Sequence, residues 1–253
     1  VQKKLKWNGQ TRLFADKNLK KTWDEDGGNS ADINLCLIAL LKEMGVAAYP
    51  VVLSTQSNGM LPLTHPSISD LNYVLAMTEA DNSLLLMDAT DTQVYPNFLP
   101  ERCLNGRGQI IAPDRFGEVD IAATQPHMTY IKSTLQMKAD GSFEGLTELS
   151  ESGYAGLERR HQHSQGNDSL TFIQQLEKEF PGVSITNHTL SNLENKQSTL
   201  IDSMEVVIEN QTDLIGDMLV FSPLLAFKTF EHPFKLEKRD YPIEFSYPIR
   251  QAV

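Results

Sequence analysis

The sequence predicts an α+β protein in two parts, and three observations carry that reading. Residues 31–44 space apolar side chains at the helical period and end at Gly45. Three strand-like runs follow, the last two reading as a hairpin. Past residues 121–127 the pattern changes to long alternating strands with two helices between them. With 253 residues there is room for two ordinary domains. We expect a helix packed on an antiparallel sheet over 1–122. A second, β-rich α+β or sandwich-like domain is expected over 123–253.

Taken in order, "VQKKLKW" reads as a short helix and "NLKKTWDED" as a second. The third runs over 31–44. Ile33, Leu37, Leu40, Leu41 and Met44 share one face, and Leu35 and Ile38 extend it, so burial nearly all round is expected. Strands follow at "AAYPVVLST", "LNYVLAMTEA" and "LLLMDAT", with "ADNS" as the turn between the last two. The loop "QSNGMLPLTHPSISD" is long enough for a lid or a rim. In the second part, "MTYIKSTLQMKADGSFEGLTELS" folds about the Asp140-Gly141 turn. Helices are expected at 154–164 and 168–179, and strands near 183–190, 200–209 and 243–247. The chain opens on Val1 without a signal-peptide pattern and closes on a strand-like "SYPIRQAV". We read it as a piece whose upstream and downstream parts lie outside it.

Composition narrows the function classes. Apolar residues make up 40% and charged residues 22%, the proportions of a globular chain. No apolar run approaches the ~18 residues of a membrane span. A net charge of −11 opposes nucleic-acid binding, which needs a basic face. Cys36 and Cys103 have no partners at metal spacing and read as buried small hydrophobes. His161 and His163 alone do not make a metal site. Asp88 and Asp91 lack the further oxygen ligands calcium needs. "NGRG" matches no phosphate-binding fingerprint. We therefore expect no metal and no cofactor.

Chemistry concentrates at the mouth of the 31–44 helix. A nucleophile there gains from the positive end of the helix dipole, and a base on a neighbouring strand would complete it. The segment "GNSADINLCLIALLKEMGVAAYPVVLST…DLNYVLAM…SLLLMDATD" resembles the transglutaminase-like superfamily, whose papain-like fold carries a Cys-His-Asp triad. The resemblance covers roughly residues 1–115. The stretch "LPERCLNGRG" is similar to that of large Bacteroidetes envelope proteins, in which such a domain lies between β-rich domains of unknown function. Residues 126–253 resemble the start of the downstream one.

Carried over, the resemblance puts the family's Cys on Ser30, its His on Asn72 and its Asp on Asp88. A serine hydroxyl is a poor nucleophile without a base, and an amide does not titrate. The resemblance thus implies a catalytically inactive member that binds or scaffolds in the cell envelope, periplasmic or surface-exposed, with a peptide, glycan or protein partner. The alternative is a residual hydrolase or acyltransferase using Ser30 with a base from elsewhere, such as His65. Structural roles are also open to these residues. Ser30 or Asn29 suits an N-cap, Asp32 suits the first turn, and Asn72 and Asp88 are expected to face each other across the hairpin.

Overall fold

The computed structural model describes residues 1–62, 64, 67–80, 83–113, 115–165, 169–227 and 245–253. The chain is mixed α+β and divides into two units, Val1–Gln125 and Pro126–Val253.

In the first unit, strand β1 (Lys6–Trp7) pairs in parallel with β2 (Gly27–Gly28). The helix expected over residues 1–7 does not form. Lys4 and Leu5 donate to one carbonyl, that of Val1, closing a single turn before β1 begins. Seven residues repay helix nucleation poorly, and β2 offers them a ladder instead. Gly27 has φ +151, and a Cβ there would lie 2.1 Å from the Lys6 carbonyl oxygen, so only glycine admits this close pairing. Helix α1 (Leu19–Asp24) is capped by the Asn18 side chain, which accepts from Lys21 N.

Helix α2 (Ser30–Glu43) opens with a reciprocal capping box. The Asn29 side chain accepts from Asp32 N, and Asp32 accepts from Asn29 N, both at 2.9 Å. It closes with paired bonds from Gly45 N to Lys42 O and from Val46 N to Leu41 O. Gly45 takes the left-handed conformation (φ +79) that this Schellman ending requires. Burial all round holds only for the first half, where Ala31, Ile33, Cys36 and Ile38 are buried. Leu40 and Met44 are 37% and 77% exposed. In the second half only one side stays covered: Leu41 packs on Ile38, Ala48 and Ala76, while Leu40 and Met44 face away.

That sheet is wholly antiparallel, in the order β5-β4-β3-β6-β7. Its strands are β3 (Ala48–Leu53), β4 (Tyr73–Ala80), β5 (Ser83–Met87), β6 (Gly106–Ile111) and β7 (Phe116–Ile121). The last two were not read from the sequence. Helix α2 packs against the face carrying Ala48, Val52, Val74 and Ala76. The residues that alternate with these, Val51, Leu53, Tyr73, Leu75 and Met77, are fully buried on the other face. A sheet covered on both sides explains why β4 reads as a nearly continuous apolar run.

The second unit holds a five-stranded sheet in the order β10-β11-β9-β8-β14. Strands β8 (His127–Met137) and β9 (Phe143–Gly153) form the long hairpin about Asp140-Gly141. Helices α3 (Tyr154–Gln165) and α4 (Ser169–Glu179) follow. Strands β10 (Val183–Ser191) and β11 (Leu200–Ile208) continue the sheet antiparallel. A separate hairpin joins β12 (Thr212–Ile215) to β13 (Met218–Phe221). The strand expected at 243–247 falls partly outside the described residues. Phe245–Tyr247 is not strand, and the last strand is β14 (Ile249–Ala252), parallel to β8.

One face of this sheet carries a core of Ile131, Leu149, Met204, Val206 and Ile208 with Phe172, Leu176 and Phe180 of the α4 region. Arg159 of α3 is 2% exposed and binds Glu151 (2.6 and 3.2 Å) and Glu179 (3.0 and 3.3 Å). Burial pushes the Glu151 carboxyl above its ordinary value, although Arg159 pulls it down. No helix among the described residues is long and apolar enough to cross a membrane.

Candidate functional site

Ser30 is fully buried. Its N–H donates to Gln10 O (3.1 Å), and its Oγ accepts from Arg12 N (2.8 Å) and donates to Arg12 O (3.1 Å). The hydroxyl's only proton is therefore committed to a carbonyl of residues 10–17, a strap without regular secondary structure lying across the start of α2. Three further bonds hold the strap: Asn29 Nδ2 to Phe14 O (3.2 Å), Lys17 N to Asp32 Oδ1 (3.0 Å) and Lys17 Nζ to Gly27 O (3.0 Å). Asn29, not Ser30, is the N-cap.

Asn72 and Asp88 do not meet. The β4–β5 register sets Ala76 opposite Met87 and Ala80 opposite Ser83. Continued, it would place Leu75 opposite Asp88, three residues from the expected pairing with Asn72. An odd slip transfers a side chain to the other face. Asn72 accordingly accepts from Thr55 N (2.8 Å) and donates to Thr55 Oγ1 (2.8 Å), with Thr11 Oγ1 of the strap at 3.5 Å. Ser30 and Asn72 thus reach adjacent residues of one strap and make no bond to each other.

Asp88 joins Tyr73 instead. Its Oδ2 accepts from Tyr73 Oη (2.6 Å), and its Oδ1 accepts from Thr90 N and Thr90 Oγ1, each at 2.6 Å. Both hydroxyl protons are then used, so the 2.9 Å approach of Tyr73 to Thr90 adds no further bond. Arg102 closes the group, donating to Thr90 Oγ1 (2.6 Å) and to Tyr73 Oη (3.3 Å). Its guanidinium lies 4.3 Å from the Trp7 ring centroid, within cation–π range.

Burial and the Asp88 charge push the Tyr73 hydroxyl well above its ordinary value. The same causes, in the same order, push up the Cys103 thiol, whose Sγ lies 3.8 Å from Asp88 Oδ2. Cys36 is raised by burial and by Asp32. A thiolate is the reactive form, so neither cysteine is poised as a nucleophile.

Sequence reasoning passed over Asn34, which is fully buried. Its Nδ2 donates to Val74 O and its Oδ1 accepts from Ala89 N, both at 2.8 Å. Continuing the β4–β5 register would set those two residues opposite each other. The amide therefore stands in for a rung of the ladder where β5 turns away. The signal was present, a lone amide inside the apolar run from Ile33 to Leu41.

His65 lies outside the described residues. His163 rests edge-on against Phe172, and Asp91 Oδ1 accepts from Gln93 N. Among the described residues no group of three or more His, Cys, Asp and Glu side chains is placed to hold a metal ion. Comparison with protein-family models, with curated proteins and with solved structures finds no match for this chain.

Proposed function

We propose that the first unit is a non-catalytic module of the transglutaminase-like kind, and that it binds or scaffolds in a cell-envelope protein. The observation that carries this reading is where the hydrogen bonds of the three triad positions go. Ser30 spends its hydroxyl on the Arg12 backbone, Asn72 spends its amide on Thr55 and the strap, and Asp88 serves Tyr73 and Thr90. Covalent catalysis needs a nucleophile within reach of a base that a third group orients. Here each member of the set is tied to structural neighbours, and no member is bonded to another. The envelope setting follows from the resemblance of "LPERCLNGRG" and of residues 126–253.

The test is turnover. Incubation with casein and a fluorescent amine, and separately with a peptide or ester substrate, should give the rate of buffer alone. Activity lost on Ser30→Ala would overturn the reading.

A further inference from the structure

All the strap's bonds to Asn29, Ser30 and Asp32 are made through its main chain: Gln10 O, Arg12 N and O, Phe14 O and Lys17 N. Main-chain contacts of this kind are indifferent to the side chains of the bound segment. Exposure along the strap alternates strictly. Gln10, Arg12, Phe14 and Asp16 are exposed, while Thr11, Leu13, Ala15 and Lys17 are half-buried. Leu13 and Ala15 pack on the small apolar cluster of Ala31, Val52 and Val74. Lys17 Nζ reaches Gly27 O and, at 2.8 Å, Glu25. Backbone bonds for affinity, with alternate side chains entering apolar sites for selectivity, is how proteins recognise extended peptides.

We propose that residues 10–17 occupy this site as a displaceable internal ligand. The site then takes, in trans, an extended peptide with an apolar residue, a small residue two positions on, and a lysine two beyond that. The proposal rests on the non-catalytic binding reading above and names its ligand. The tethered strap competes at the high effective concentration of a short linker, so a free peptide gains access in proportion to how often the strap lifts. Leu13→Asp removes the strap's apolar anchor and leaves Asn29, Ser30, Asp32 and Asn72 in place.

A fluorescein-labelled peptide of residues 8–18, titrated by fluorescence anisotropy, should bind the Leu13→Asp protein at least ten-fold more tightly than wild type. The same peptide carrying Leu13→Asp should lose that binding. No saturable binding to a Leu13→Asp protein with wild-type circular dichroism would overturn the proposal. Hydrogen exchange of the unaltered protein gives an independent answer. The Arg12 and Lys17 amides, bonded to Ser30 and Asp32, should exchange at least 100-fold faster than α2 amides between Asn34 and Ile38. Equal rates would mean that the strap opens only with the whole unit, and would also overturn it. Either failure, without turnover of casein, leaves the scaffold reading standing; turnover would remove that reading itself.

Discussion

Asn34 shows how much one buried amide holds at this site. Asn34→Ala leaves the Val74 carbonyl and the Ala89 N–H, both in buried residues, without the partners they now have, at about 1–3 kcal/mol for each orphaned group. We expect the urea midpoint of the first unit to fall by an amount worth about 2–6 kcal/mol; a loss under ~0.5 kcal/mol, the size of an ordinary surface change, would contradict the role given to Asn34. Tyr73 and Cys103 make a pH-dependent statement. Both are neutral in the folded protein and both are raised above their ordinary values of 10.0 and 9.0. As pH passes those values the unfolded chain loses protons that the folded chain keeps, so ΔG of unfolding falls. The stability these groups contribute is complete below pH 9 and drains away above it. Urea midpoints measured from pH 8 to 10.5 should decline, and Cys103→Ala should flatten the early part of that decline. At this scale the sequence was partly legible. Ser30 and Asn29 were readable as helix-start residues and the cysteines as buried, because capping and burial are local properties. That Asp88 serves a tyrosine rather than Asn72 was not readable, because it depends on which strand positions come opposite.

At the scale of elements, the β4–β5 register decides the fate of the triad positions. The two strands were legible from apolar runs broken by "ADNS", whose middle residues lie outside the described ones, but the pairing was not. Loop length sets register, and no residue type in that turn fixes it alone. Strands β6 and β7 were missed because "GRGQII" and "FGEVDI" are short, and their glycines weaken any strand pattern. Placing a cysteine and a histidine at Ser30 and Asn72 should therefore not build a nucleophile-base pair. Ser30→Cys with Asn72→His, with Cys36 and Cys103 replaced by alanine, should react with iodoacetamide at pH 7 no faster than Ser30→Cys in the same background. A ten-fold gain from the histidine would put imidazole against thiol and refute the placement described above. In the second unit, the buried bridge between α3 and β9 is the sensitive join. Arg159→Leu strands Glu151 without its cation, which should destabilise the unit by about 3–5 kcal/mol near neutral pH. Because Glu151 becomes neutral on protonation, and its carboxyl is already raised, the loss should shrink as pH falls towards 4. A loss that did not change with pH would place the damage in packing alone.

On the scale of the whole chain, each unit carries its own core: Ile33, Val52, Val74 and Ala76 in one, Leu149, Leu176 and Met204 in the other. Residues 1–125 and 126–253, expressed separately, should each unfold cooperatively in urea when followed by circular dichroism. A fragment lacking a transition would show that its core is completed from elsewhere. The change of pattern near "IAATQPH" made the division legible, set at 122/123 in the sequence and found at 125/126. One edge strand of the second unit's five-stranded sheet has a mechanical meaning. Strand β14 lies parallel to β8, with Ile249 beside His127 and Ala252 beside Tyr130. Tension applied at His127 and at Ala252 pulls the two strands past each other along their length. The slanted bonds of the parallel ladder are then loaded together rather than peeled one at a time, so under stretch this edge gives way all at once.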